Sequence, residues 1–184
     1  MKQNSQGSDY DNHKTFSPVI GNDIIDLDLA ARESHWRRPG YLDKIFTAGE
    51  QSMIANAENS TLMVWQLWSR KEAVYKIINR LSHIRTYAPL KYQCSKENFV
   101  IYEGRLYPFK SYQINDCIHT IAVERSELFD ALEVYTGQRE DWNISKDEYG
   151  IPFLEGKPVS VSHHGRYAAM IVYNDNNPGN SLIL

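Results

Sequence analysis

The chain has 184 residues, 42% hydrophobic and 23% charged, which suits one globular domain with a substantial core and room for a small second lobe. A formal net charge of −3 argues against a general nucleic-acid binder, and no apolar run is long enough to span a membrane. The polar start MKQNSQGSDYDNHK lacks the apolar stretch of a secretory signal, and Cys94 and Cys117 lack metal-ligand spacing, so the composition reads as a cytoplasmic protein with two reduced thiols.

In chain order, residues 1–16 read as a disordered tail, 17–173 as one domain and 174–184 as a second tail. The β-branched stretch PVIGNDIIDL predicts a strand. A helical pattern from Leu29 to Arg37 stops at Pro39-Gly40 and resumes in YLDKIFTAGEQSMIANAE, where Thr47 and Glu50 have the spacing of a capping box. A long helix follows over Leu62–Arg80. Past Pro89 the texture is that of strands: KYQCS, FVIYEGRLYPF with a Glu-Gly-Arg turn, and HTIAVE. SELFDALEVY predicts a short helix ending near Gly137, and KPVSVSHHGRYAAMIVY a pair of strands about a His-His-Gly-Arg turn. The expected class is α+β, an antiparallel sheet packed with a long helix.

Three stretches carry candidate chemistry. In WSRKEAVYK, Glu72 and Lys76 are neighbours at i and i+4, on the helix face of Trp65 and Trp68. Such a pair can be a surface bridge worth about 0.3–0.5 kcal/mol. Here Leu67, Val74, Ile77, Ile78 and Leu81 form a separate apolar stripe, so the two tryptophans need their own cover, from a cleft, a subunit contact or a ligand. In VIGNDIIDL, alternation puts Asp23 on the face of Val19, Ile25 and Leu27, where a carboxylate costs free energy unless it is paired, holds a metal or closes a turn. In PVSVSHH, Ser160 and Ser162 share a strand face and His163 and His164 follow, which suits either a phosphate cradle or a solvated edge. Between Ser69 and Lys96, seven basic residues (Arg70, Lys71, Lys76, Arg80, Arg85, Lys91, Lys96) face a single acid, Glu72. That bias suggests an anionic ligand, an acidic partner or a solvated face.

The order GNDIIDL, WSRKEAVYK, VSVSHHGRYAA resembles the 4′-phosphopantetheinyl transferase superfamily, with its Gly-x-Asp, Trp/Phe-x-x-Lys-Glu-Ala-x-x-Lys and Ser-x-Ser-His motifs; YLDKIFTAGE is similar to the segment between the first two. The resemblance implies Mg²⁺-dependent transfer of phosphopantetheine from coenzyme A to a serine of an acyl or peptidyl carrier protein, as in fatty acid biosynthesis, with release of adenosine 3′,5′-bisphosphate. It further implies that Asp23 and Glu72 bind the metal, that Glu72 helps deprotonate the serine, and that Lys76 holds the pyrophosphate. Lys71 would reach the phosphates from the flank, Ser162 and His163 would contact the nucleotide phosphates, and Lys44 would be a candidate for the 3′-phosphate.

Ile25 stands where many members have a second acid, which points to the single-lobe, holo-acyl-carrier-protein-synthase-like branch with water in that place. Asp26 lies on the opposite strand face. In that branch the Ser-His strand comes from a neighbouring subunit, so the expectation is a homo-oligomer, a trimer favoured, with composite sites; residues 91–138 could instead build a partial second lobe. Two alternatives remain: a non-catalytic homologue that binds coenzyme A or a carrier, and a nucleic-acid-binding module using the basic stretch. The second requires those basic residues to lie together on an exposed face.

Overall fold

A computed structural model describes residues 18–174, so the expected tails, apart from residue 174, lie outside the described residues. The chain opens with β1 (Ile20–Asp26), followed by α1 (Leu27–Glu33), α2 (Tyr41–Ile45), α3 (Ala48–Ala55) and α4 (Ser60–Ser82). Strands follow: β2 (Gln93–Cys94), β3 (Phe99–Tyr102), β4 (Arg105–Ile114), β5 (Cys117–Val123), β6 (Leu132–Thr136), β7 (Ile144–Lys146), β8 (Pro152–Leu154), β9 (Lys157–His164) and β10 (Tyr167–Tyr173). They form two antiparallel five-stranded sheets, ordered β1-β5-β4-β3-β2 and β6-β10-β9-β8-β7. The α+β class is as the sequence predicts.

Local chemistry explains most boundaries. Asp26 ends β1 and caps α1, its Oδ1 accepting the N–H groups of Asp28 and Leu29. That cap starts α1 two residues earlier than expected, and α1 ends at Glu33, short of the predicted Arg37. The Thr47–Glu50 capping box is formed in full. SELFDALEVY is not a single helix: Ser126–Ala131 make a 3₁₀ turn and the rest becomes β6, paired with β10, so Gly137 follows a strand. The alternating run Leu132, Val134, Thr136 suits a sheet edge better than a helix end.

The first sheet is packed on both faces. On one, Val19, Ile25, Ile118, Ala122 and Phe109 meet Val64, Leu67, Ala73, Val74 and Ile77 of α4. On the other, Ile20, Ile121 and Val123 meet Leu132 and Ile171 of the second sheet. Of the predicted apolar stripe on α4, only Leu81 stays largely in solvent, at 44% exposed. Residues 93–123 complete the first sheet, and the second begins at Leu132. The second lobe is therefore built from the C-terminal part of the chain, with β9 and β10 at its centre.

Candidate active site

The site begins with a close approach of backbone to backbone. A Cβ built on Gly21 would lie 2.1 Å from the carbonyl oxygen of Ala73, so only glycine allows β1 to sit this near α4. Asp23 is two residues along the same strand face and Glu72 is the residue before Ala73 on the helix. The contact between Gly21 and Ala73 thus sets the two carboxylates opposite each other, and both line one cavity of about 200 Å³.

The free edge of β1 is closed by side chains of β9. The N–H groups of Asn22, Ile24 and Asp26 donate, in order, to Ser160 Oγ, Ser162 Oγ and His164 Nδ1, each at 3.0 Å. Ser160, Ser162 and His164 alternate along β9, so one face of the Ser-x-Ser-His-His run replaces the missing strand partner. Ser162 also donates its only proton to Asp23 Oδ1 at 3.1 Å. The hydroxyl is buried and its proton is committed, so Ser162 orients Asp23 and is not the open phosphate ligand expected for it. His163 points the other way, is exposed, and lines the carboxylate cavity.

Lys76 lies across the seam between the sheets. Its ammonium donates to Asn22 O at 2.6 Å and Val161 O at 3.3 Å, and stands 3.8 Å from Asp23 Oδ1. Burial lowers its pKa, against the pull of Asp23 and Glu72. Burial raises Asp23, against the opposing effect of Lys76. The Glu72 carboxyl is pushed up to about 7 by burial and then by the Asp23 charge, Lys76 opposing. This acidity has a sign that can be tested. The folded state holds the Glu72 proton more tightly than the unfolded chain, so its contribution to stability is full below about pH 4.5 and is lost as pH rises towards about 7. In metal-free protein, Glu72→Gln should remove that part of the decline, read from melting temperatures across this window.

A second cavity of about 200 Å³ adjoins the first through His163 and is lined by Lys76, Arg80, Arg139 and Lys146. Arg80 donates through Nη2 to Val159 O at 2.5 Å, while its Nη1 is buried without a partner. Burial lowers its guanidinium to about 10. Arg80 is four residues after Lys76 on the same helix face, a spacing visible in the sequence. Arg139 and Lys146 come from the approach to β7 and from β7 itself, where no periodic pattern points to a site.

Two expected ligands are elsewhere. Lys71 is fully buried, donating to Glu50 Oε2 at 2.7 Å, Pro89 O at 3.0 Å and Tyr92 O at 2.5 Å. All three of its protons are committed, so it ties α4 to α3 and the 89–92 turn and cannot reach a phosphate. Removing one member of a buried ion pair strands the other, so Lys71→Ala should cost about 3–5 kcal/mol in chemical unfolding. Lys44 is exposed on α2 and lines neither cavity. Trp65 is 6% exposed within the first core, and the half-buried Trp68 packs edge-on against Tyr87 with ring centroids 5.7 Å apart; both line the carboxylate cavity. The basic stretch is likewise not one exposed face: Lys71 and much of Arg70 and Arg80 are inside, and Lys91 is 3.8 Å from Glu103.

Residues 19–92, from the residue before β1 to the end of the 89–92 segment, match the family model of the 4′-phosphopantetheinyl transferase superfamily. This segment, less than half of the chain, is similar to that superfamily. It contains Gly21, Asp23, Glu72 and Lys76, but not Ser162 or His163. Among curated proteins none matches the chain in sequence. Among solved structures, the holo-[acyl-carrier-protein] synthase of Thermotoga maritima is similar at 10% identity, over 77% of this chain and 85% of that one, with a TM-score of 0.42.

Against the superfamily's features, the composite arrangement is corrected. Ser162 and His163 meet Asp23 and Glu72 within one chain, since the second sheet folds β9 onto β1. The ground for expecting a trimer is thereby removed. Ile25 is buried in the core and Asp26 is taken up by Arg166, which donates to Oδ2 at 2.8 Å and Oδ1 at 2.9 Å and holds the carboxyl well below the usual carboxylate range. Neither position supplies a third acid. The magnesium ion that the resemblance implies does fit the remaining pair: Asp23 Oδ2 is buried with no hydrogen-bond partner, and two carboxylates in one cavity raise the cost of ionising Glu72. Among the described residues no cluster of three or more His, Cys, Asp or Glu could hold a metal.

Proposed function

We propose that the domain over 17–173 transfers 4′-phosphopantetheine from coenzyme A to a serine of an acyl or peptidyl carrier protein, with Mg²⁺, in the cytoplasm. The observation that carries this reading is Asp23, Glu72 and Lys76 gathered at one seam, beside a basic cavity. Magnesium held by Asp23 and Glu72 would neutralise pyrophosphate charge during phosphoryl transfer. Lys76, held in place by two carbonyls, stabilises the phosphate that leaves. Arg80, Arg139, Lys146 and His163 receive the remaining phosphates in the second cavity, in place of Lys71 and Lys44. Glu72 takes the serine proton as the serine oxygen bonds to phosphorus and the pyrophosphate P–O bond breaks. The buried, free thiols Cys94 and Cys117 support a reducing compartment, and among the described residues no helix is long and apolar enough to cross a membrane.

The test is chromatographic. Protein incubated with coenzyme A, Mg²⁺ and an apo-carrier protein should release adenosine 3′,5′-bisphosphate, and chelating the metal should stop it. Intact coenzyme A throughout, with tight coenzyme A binding, would favour a non-catalytic binding homologue instead.

A further inference from the structure

The aromatic cluster beside Glu72 contains an unsatisfied group. Tyr87 follows α4 and folds back on it, its ring 5.7 Å from that of Trp68 and 4.8 Å from that of Tyr75. Those two residues are four before and three after Glu72, on one helix face, so a ring touching both lies across the Glu72 position. Tyr92 closes the far side at 5.6 Å. The Tyr87 hydroxyl is buried and has no hydrogen-bond partner. By contrast, the Tyr75 hydroxyl donates to Arg85 O at 2.7 Å. A buried hydroxyl without a partner costs about 1–3 kcal/mol, and such groups are commonly explained by a partner that arrives with a ligand or ion.

Glu72 is the complement. Its carboxylate lines the cavity beside Asp23 and has no hydrogen-bond partner among the described residues. A phenol keeps its proton at neutral pH, so the Tyr87 hydroxyl is available as a donor. We infer that Tyr87 is a positioning residue, whose hydroxyl donates to the ionised Glu72 carboxylate and fixes its direction in the metal-loaded site. The inference rests on the metal-binding reading above, and it gives the orphan hydroxyl and the unsupported carboxylate the same answer. Residues that orient a metal ligand in this way change metal affinity by about 10–100-fold when removed.

The test is Tyr87→Phe, which keeps the ring and removes one oxygen, with Mn²⁺ alone as probe, titrated calorimetrically into the full chain. The expected result is Mn²⁺ affinity about tenfold weaker, with a metal-free melting temperature unchanged or higher, since an unsatisfied buried group has gone. A merely structural hydroxyl would show the reverse: lower melting temperature and unchanged affinity, which overturns the proposal. If wild-type protein takes up no Mn²⁺, the metal reading fails and the proposal fails with it. Wild-type uptake that Tyr87→Phe matches would overturn the role of Tyr87 alone.

Discussion

Replacing Asp23 or Glu72 with alanine should abolish metal-dependent transfer, with a loss of roughly a hundredfold to a thousandfold or more in kcat, while the fold survives. The two carboxylates share one cavity and each has spare capacity: Asp23 through its orphaned Oδ2, Glu72 through a carboxyl that burial and its neighbour hold near neutrality. Neither alone offers enough charge to anchor a largely hydrated ion. Stability should move the opposite way for Glu72. An ionised carboxylate is unfavourable at this position, so Glu72→Gln should melt at the same or a higher temperature than wild type at and above about pH 7 without metal. Loss of activity together with gain of stability is the mark of a group retained for function. Full activity under limiting Mg²⁺ in either alanine variant would remove that carboxylate from the site.

The second large effect is expected at Gly21. Alanine there would place its methyl 2.1 Å from the Ala73 carbonyl oxygen, and the obstacle is helix backbone, which cannot rotate aside as a side chain could. Either β1 or α4 must move. Overpacking of this kind costs about 1–3 kcal/mol, and more where the neighbour is rigid. Because the same contact sets Asp23 against Glu72, Gly21→Ala should lower both melting temperature and transfer rate, and Gly21→Val more so. Wild-type melting and kinetics in Gly21→Ala would show that the close approach is not needed.

What the sequence made legible follows from local rules. Periodicity fixes the strand face of Asp23 and the shared helix face of Glu72 and Lys76, whereas the meeting of those two faces was implied only by the resemblance of the motifs to the superfamily. Lys71 shows the limit. Helical angle says which way a side chain leaves the helix, but not what will cover it, and its cover comes from Glu50 and from the carbonyls of Pro89 and Tyr92. Ser162 was legible as a site residue, but its role was not, because the free edge of β1 that it satisfies appears only after the second sheet has folded against the first. That second sheet was hard to foresee: β7 and β8 have three residues each, too few for alternation to register. For the same reason the site was expected between chains and is found within one.

The most direct measurement of the central claim is the intact mass of an apo-carrier protein after incubation with coenzyme A and Mg²⁺, wild type and Glu72→Gln side by side. The account predicts that the wild-type sample gains the mass of one phosphopantetheine group on the carrier, and that the Glu72→Gln sample leaves the carrier unmodified although the variant is folded. A carrier of unchanged mass with folded wild-type protein, or equal modification by both proteins, would contradict it.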